Sequence, residues 1–234
     1  MNMPSSFSLP AGFRAIVTNI GIKDSTDDLV VVAAERPVAA AGVFTQSRFV
    51  GPSVTVSRDH IADQQAIAMV VISKNANVAN GEQGMADAHE VVQHVASLIG
   101  CEEADVLIAS TGVIGRPYPM DRVRAGFTAI ADREWSAKLV DVARGIMTTD
   151  TVEKTSVASI HGTGAVVAGV AKGVGMLEPN MATMIAVVLT DADISPADLN
   201  SVFSRIADST FNCVSVDGDT STSDTAVVMA SGAA

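Results

Sequence analysis

Short apolar runs recur along the chain, and each is followed by turn or helix signals. Runs of this length are typical of strands buried on both faces, whereas the segments between them place apolar residues at the helical period of 3.6. This alternation predicts an α/β or α+β domain built in layers, and it leaves the order of the strands open. The predicted strands are Leu29–Ala34, Ala66–Ser73, Asp105–Ser110, Ala165–Ala171, Ile185–Leu189, Cys213–Val216 and Thr225–Ala230.

The spacing of apolar residues predicts helices over Asp87–Ile99, Met120–Ala131 and Trp135–Met147. A further helix is expected to begin after Ser195, whose hydroxyl can cap it, with Pro196 in the first turn. Because only 4% of the residues are aromatic although 48% are hydrophobic, the core must consist of small and branched aliphatic side chains.

Composition excludes several classes of protein. The formal net charge of −11 leaves no basic surface for nucleic acid, and no apolar run is long enough to cross a membrane. The segment Met1–Pro10 lacks the features of a signal peptide, so we expect a cytoplasmic protein that binds neither nucleic acid nor membranes. Cys101 and Cys213 are expected to be reduced, buried thiols.

The common catalytic signatures are missing from this sequence. The four histidines show no metal-ligand spacing, and neither a GxSxG elbow nor a P-loop occurs, so no metal and no cofactor is expected. Gly162-Thr163-Gly164 predicts a hairpin turn. Three other polar or glycine-rich segments remain as candidate sites.

The first candidate, Ser110–Gly115, directly follows a predicted strand, where catalytic groups often lie. The hydroxyl of Thr111 and the N–H of Gly112 form a possible pair of donors for a developing oxyanion, although a plain turn explains the same residues. The third candidate, Val216–Asp224, combines acids and hydroxyls without the spacing of a calcium loop, which favours a self-hydrogen-bonded turn between two strands.

The second candidate, residues 171–184, joins two predicted strands and contains Lys172 and Thr183. A threonine hydroxyl needs a base to act as a nucleophile, and cleavage of the preceding peptide bond supplies one, the α-amine of the same residue. That amine has an ordinary pKa of about 7.7 to 8.0, close to working pH. A flexible surface loop with a solvated Lys172 is the alternative interpretation.

At these three segments the sequence resembles the ornithine acetyltransferase family, also called bifunctional glutamate N-acetyltransferase. The matching stretches occur in order from Gly12 to Asp224 and cover nearly the whole chain. They read GFRAIVTNIGIK, AGVFTQSRF, NANVANGEQG, IASTGVIGRPYPM, IMTTDT, AKGVGMLEPNMATM and TFNCVSVDGDTSTSD.

The resemblance implies an acyltransferase that cuts its own backbone between Ala182 and Thr183. Thr183 then takes the acetyl group from N-acetylornithine and passes it to glutamate by ping-pong kinetics, which releases ornithine and N-acetylglutamate within arginine biosynthesis. Residues 1–182 become an α chain and residues 183–234 the start of a β chain. These pieces remain associated as αβ pairs that assemble further into a heterotetramer.

The resemblance also implies roles for residues away from the cleavage point. Thr111 and Gly112 match the oxyanion hole of the family, and Thr149 and Lys172 match positions that contact the substrate, as Thr183 does. The implied fold is a sandwich of two β-sheets between helical layers, shared with DmpA-like proteins.

The chain is expected to be one domain, residues 1–234, that lacks the carboxy-terminal part of the family with its further substrate contacts. Stretches such as GPSVTVSR and STSD resemble the branch associated with clavulanic-acid clusters. Three other functions remain open: an amidohydrolase or aminopeptidase of the same catalytic type, an unprocessed homologue without enzyme activity, and a metal-binding protein built on the acids of Asp217–Asp224.

Overall fold

The computed structural model describes residues 7–130, 133–176 and 184–234, and all statements of structure refer to these ranges. They form eight strands and five α-helices. The strands are β1 (Phe13–Thr18), β2 (Leu29–Phe44), β3 (Gln65–Asn75), β4 (Val106–Val113), β5 (Lys154–Ser159), β6 (Val166–Lys172), β7 (Ile185–Thr190) and β8 (Thr225–Ala230). The helices are α1 (Pro52–His60), α2 (Gly81–Ile99), α3 (Met120–Ile130), α4 (Leu139–Ile146) and α5 (Pro196–Ser209).

The long strand β2 connects two halves of one hydrogen-bonded sheet, whose order is β4-β3-β2-β8-β7-β6-β5, with β1 also paired to β2. Its register with β3 shifts between Ala33 and Val38. The residues between them include Pro37, which has no N–H to donate to a ladder, so pairing is interrupted there. Before the shift β2 pairs with β1 and β3, and from Ala39 onward it pairs with β8.

The two halves pack as layers because alternate residues of each strand face opposite sides. Val30 and Val32 of the first half share one core with Val187 and Leu189 of the second half and with α4. The outer face of the first half is covered by α1, α2 and α3. The outer face of the second half packs against α5 through residues such as Phe203. The predicted layered α/β sandwich is confirmed. Its two layers are the two halves of one continuous hydrogen-bonded sheet.

Small residues allow the close packing that the composition predicts. Gly145 of α4 lies against the sheet so closely that a Cβ atom there would be 2.3 Å from a methyl group of Val30. Helix α5 begins as predicted, since the Ser195 hydroxyl accepts a hydrogen bond from the Asp198 amide at 3.2 Å. Gly162 and Gly164, both with positive φ, turn the chain between the antiparallel strands β5 and β6, which confirms the hairpin.

Some sequence predictions were wrong. Cys213–Val216 is not a strand, because a 3-10 helix over Phe211–Cys213 is followed by irregular chain. Helix α4 begins at Leu139 instead of Trp135, since the backbone of Ser136 pairs with that of Ala15 at 2.7 and 2.8 Å and holds this segment extended. The predicted strand and helix patterns also missed α1, β1 and β5.

Both cysteines are free, as expected, but Cys213 is exposed and Cys101 is partly exposed instead of buried. Ala131, the predicted last residue of α3, lies outside the described residues. Within the described ranges, each helix is too short or too polar to cross a membrane.

Candidate active site

A cavity of about 720 Å³ opens where strands from both layers end. The end of β4 supplies Thr111 and Gly112, the end of β6 supplies Lys172, and the loop before β5 supplies Thr149. The structure thus brings four of the six residues predicted for the site to one cavity. Its size suits a ligand as large as an amino acid. The other two residues, Ala182 and Thr183, lie outside the described residues.

The β4 side of the cavity depends on glycine at position 112. Strand β4 runs parallel to β3 in a register that pairs Gly112 with Lys74. A Cβ atom at residue 112 would lie 2.0 Å from the carbonyl carbon of Lys74, and φ is +139°, where other residues are strained. Thr111 beside it is buried. The backbone that carries the predicted donor pair is therefore fixed by close contact with the neighbouring strand.

The chain at the end of β3 and just after it is strained. Lys74, Asn77 and Ala79 all have positive φ, a conformation that is uncommon for residues with a Cβ atom. Hydrogen bonds hold the segment, because the Asn77 side chain donates to the Gly84 carbonyl at 2.7 Å and Ala76 donates to β4 at 3.1 Å. Backbone strain of this kind concentrates at functional sites.

Lys172 is the buried cation of the cavity, with 3% of its surface exposed. It ends β6 directly opposite Ile185, two residues after Thr183 in the chain. Burial lowers the pKa of its ammonium group below the ordinary value, although the charges of Asp150 and Asp224 oppose that shift. An ammonium group in this position can bind a substrate carboxylate, because little water competes for it.

Asp224 is a fully buried carboxyl beside the predicted cleavage point. Its Oδ1 accepts a hydrogen bond from the amide of Met184 at 2.8 Å, and its Oδ2 has no hydrogen-bond partner among the described residues. The amide of Thr225 donates to the Met184 carbonyl at 3.0 Å, so Met184 is held through both backbone groups. Burial raises the pKa of Asp224 to about 7. Asp224 thus fixes the residue that follows Thr183.

The loop that carries Thr149 is anchored on both sides. Asp150, whose side chain is buried, accepts a hydrogen bond from the Gly173 amide at 2.9 Å. Burial raises the pKa of Asp150, but hydrogen bonds from Gly173 and Lys154 outweigh that effect, and the pKa is lowered overall. Lys23 donates to the Met147 carbonyl at 2.7 Å. Thr149 itself is exposed to the cavity from this fixed loop.

The acid-rich segment predicted as a turn also lines the cavity, and its internal hydrogen bonds are confirmed. Asp217 accepts from the Asp219 amide at 3.4 Å and from the Met176 amide at 2.7 Å, which ties the turn to the end of the β6 loop. The Ser223 amide donates to the Ser221 hydroxyl at 3.1 Å. The turn does not connect two strands as predicted. The 3-10 helix Phe211–Cys213 precedes it, and only β8 follows it.

Sequence reasoning missed the functional neighbours of Lys172. In the sequence Asp224 is only one acid of a predicted turn, and Asp150 stands in no recognisable motif. Their burial is the property that marks them, and it arises from packing against distant strands. Lys23 and Lys74, which line the same cavity as Lys172, carry no sequence signal either.

A family model described as the ArgJ family matches residues 14–234. The chain belongs to the ArgJ family. It is 52% identical over 227 residues to "Arginine biosynthesis bifunctional protein ArgJ 2" of Nostoc sp.. It is 48% identical over 229 residues to "Glutamate N-acetyltransferase Oat2" of Streptomyces clavuligerus. These matches cover 97% and 96% of this chain but only 58% and 57% of the relatives, so the chain spans less than two thirds of their length.

A solved structure of this family has the same fold. The chain superposes on ornithine acetyltransferase complexed with ornithine from Mycobacterium tuberculosis with a TM-score of 0.69 and 35% sequence identity. The match covers 76% of this chain and 96% of the solved chain. The predicted resemblance to the ornithine acetyltransferase family is therefore confirmed.

Proposed function

We propose that this ArgJ family chain, after cleavage between Ala182 and Thr183, transfers an acetyl group from N-acetylornithine to glutamate through an acetyl-threonine intermediate. The observation that carries the proposal is the meeting of Thr111, Gly112 and Lys172 in one cavity, next to the strand that follows Thr183. The names of the Nostoc and Streptomyces relatives support the same chemistry.

In the first half-reaction the hydroxyl oxygen of Thr183 attacks the acetyl carbonyl carbon of N-acetylornithine, and its proton passes to the α-amine of the same residue. The Thr111 hydroxyl and the Gly112 N–H donate hydrogen bonds to the oxyanion. The amide C–N bond then breaks, the proton goes to the leaving nitrogen, and ornithine departs. An acetyl ester remains on Thr183.

In the second half-reaction the amine of glutamate attacks the ester carbonyl carbon, and the same donors stabilise the oxyanion. The ester C–O bond breaks, the proton lost by the amine returns to the Thr183 oxygen through the α-amine, and N-acetylglutamate leaves. Lys172 binds a carboxylate common to both substrates, with Thr149 as a second contact. Because donor and acceptor are both amino acids, one carboxylate site serves both half-reactions.

The lengths of the solved chains support cleavage at this point. The M. tuberculosis chain is matched over 96% of its length by 76% of this chain, so it has about four fifths of this chain's length. Residues 1–182 are a similar share of the 234 residues. We further propose that the two pieces stay associated, assemble into a heterotetramer in the cytoplasm and recycle acetyl groups for arginine biosynthesis.

Cleavage is tested by intact mass spectrometry of the purified chain. We expect two pieces that meet at Ala182 and Thr183, one uncut chain of 24.0 kDa for Thr183→Ala, and partial cleavage for Thr183→Ser. Thr128→Ala, on the exposed face of α3, is the control and should be cut normally. A wild-type chain that remains whole would support the unprocessed, non-enzymatic homologue instead.

Acetyl transfer is tested with N-acetylornithine and isotopically labelled glutamate. Labelled N-acetylglutamate is the expected product, and it should require Thr183. Free acetate without N-acetylglutamate would assign the chain to the amidohydrolase alternative. Stability that falls on addition of a chelator in the wild type but not in Asp219→Asn would favour the metal-binding alternative at Asp217–Asp224.

A further inference from the structure

Three side chains that can bind a metal ion meet near the start of β4, at the end remote from the cavity. His60 is the last residue of α1, His89 lies in α2, and Glu103 belongs to the 3-10 helix Glu103–Asp105 that precedes β4. One ligand atom from each lies within 4.8 Å of the other two. No sequence motif indicates this group, because the three residues come from three separate elements.

The His60 ring is already oriented as a metal ligand is. Its Nδ1 lies 2.8 Å from the carbonyl oxygen of Val106. Since a carbonyl oxygen only accepts hydrogen bonds, Nδ1 carries the proton, and the lone pair of the neutral ring is on Nε2. Histidines that bind metals characteristically donate their other ring N–H to a carbonyl or carboxylate in this way, which fixes both tautomer and orientation.

His89 and Glu103 complete the group. The His89 Nδ1 donates to Glu103 Oε1 at 2.6 Å, and the ring centroids of His60 and His89 are 6.3 Å apart. The side chains of His89 and Glu103 are 48% and 39% exposed, so an ion can reach them from solvent. A second histidine of α2, His94, is not part of the group: its ring stacks on Phe127, and its Nε2 lies 3.5 Å from Glu90 Oε1.

We propose that His60, His89 and Glu103 bind a divalent transition-metal ion of the zinc type, with water as the fourth ligand. Two nitrogens and one carboxylate oxygen form a common ligand set for Zn²⁺, with ligand distances of about 2.0 to 2.2 Å. Adjacent ligands of a tetrahedral ion are then about 3.4 Å apart. The side chains of His89 and Glu103 are half-exposed and free to rotate, so we expect them to reach that spacing when the ion displaces the proton between them.

The site is separate from the proposed chemistry. Val106, which orients His60, and Thr111 are five residues apart on β4, a distance on the order of 17 Å. The ion would join the end of α1 to the middle of α2 and the start of β4, so its effect falls on stability of the first layer. Because the ion would bind the native state and not the unfolded chain, the melting temperature should rise with metal concentration.

The test titrates ZnCl₂ into tag-free protein that has been stripped with chelator and dialysed, using calorimetry and thermal melting. We expect one ion per chain with a dissociation constant in the micromolar range or tighter, and a melting temperature that rises by several degrees. His89→Ala and Glu103→Gln should each weaken binding at least tenfold. His161→Ala, an exposed histidine of the β5–β6 turn, is the matched control and should bind normally.

The two exposed positions carry the test because His60→Ala also removes the bond to Val106 and thereby affects folding. Equal Zn²⁺ affinity in wild type, His89→Ala and Glu103→Gln would overturn the proposal, as would the absence of saturable binding. MgCl₂, which prefers oxygen ligands, should give no shift in melting temperature. The uncleaved Thr183→Ala chain should bind Zn²⁺ like the wild type, so failure of the proposed function leaves this result interpretable.

Discussion

The two layers of the sheet contribute different things to the cavity. The first layer contributes backbone shape, because Gly112 of β4 approaches the backbone of Lys74 in β3 more closely than any other residue type permits. The second layer contributes buried charge, because Lys172 of β6 and Asp224 before β8 are 3% and 0% exposed. The same cavity is thus built by sterics on one side and by electrostatics on the other.

This difference predicts how substitutions in each layer should affect activity at different pH values. A contact between backbones does not depend on pH, so damage to the first layer should lower activity equally at every pH. Burial raises the pKa of Asp224 to about 7, so its charge changes within the working range, and damage to the second layer should alter the pH dependence. The following substitutions test this distinction.

The largest effect is expected for Gly112→Ala. The new methyl group would overlap the Lys74 backbone at a φ of +139°, which displaces the proposed oxyanion donors. Loss of one such donor lowers kcat by about 10² to 10³, and we expect at least this loss at every pH between 6 and 9. Steady-state acetyl transfer and thermal melting measure it.

Gly162→Ala is the matched control for this substitution. Gly162 also has a positive φ, but a Cβ atom there would meet nothing within 4 Å. It should lose about 1 kcal/mol of stability and no activity. Equal activity of the two variants would refute the steric account of the first layer.

A smaller effect is expected for Lys172→Met, which keeps the length of the side chain and removes its charge. A hydrogen bond to a charged group is worth about 1.5 to 3 kcal/mol, so kcat/KM should fall about 10- to 100-fold. The loss should also shift the pH profile, because the charge of Lys172 lowers the pKa of Asp224. Lys138→Met, an exposed lysine just before α4, is the control and should leave the profile unchanged.

The smallest effect is expected from Asp224→Asn and concerns stability. The pKa of Asp224 is raised to about 7 by burial, whereas an unfolded aspartate titrates near 3.9. Between these values the native state binds more protons, so its stability decreases as pH rises, by at most about 1.4 kcal/mol per pH unit. Melting temperatures from pH 5 to 8 should fall less steeply for Asp224→Asn, whose amide oxygen still accepts from Met184.

Asp63→Asn, at an exposed position, is the control for Asp224→Asn. Its melting temperature should change with pH as steeply as that of the wild type. If the slope of Asp224→Asn also matches that of wild type, the carboxyl of Asp224 is ionised throughout this range, and the electrostatic account of the second layer is wrong.

Whether the sequence predicted a strand depended on how deeply that strand is buried. Strands β3, β4, β7 and β8 are buried on nearly all sides, so their continuous apolar runs were recognised. Strand β5 has the sequence KTSVAS and is almost wholly exposed, so no apolar pattern marked it. The predicted strand Cys213–Val216 failed for the opposite reason, since its apolar residues Val214 and Val216 are exposed on irregular chain.

The amino-acid sequence by itself determined the layered α/β class, through the period of its apolar residues, and the family, through long motifs in the right order. It also supplied Thr111, Gly112, Thr149 and Lys172 as candidates. Only the tertiary structure decided that these four share one cavity, that Asp224 holds Met184, and that His60, His89 and Glu103 meet. Burial and proximity between residues far apart in the chain depend on strand order and register, which local patterns do not encode.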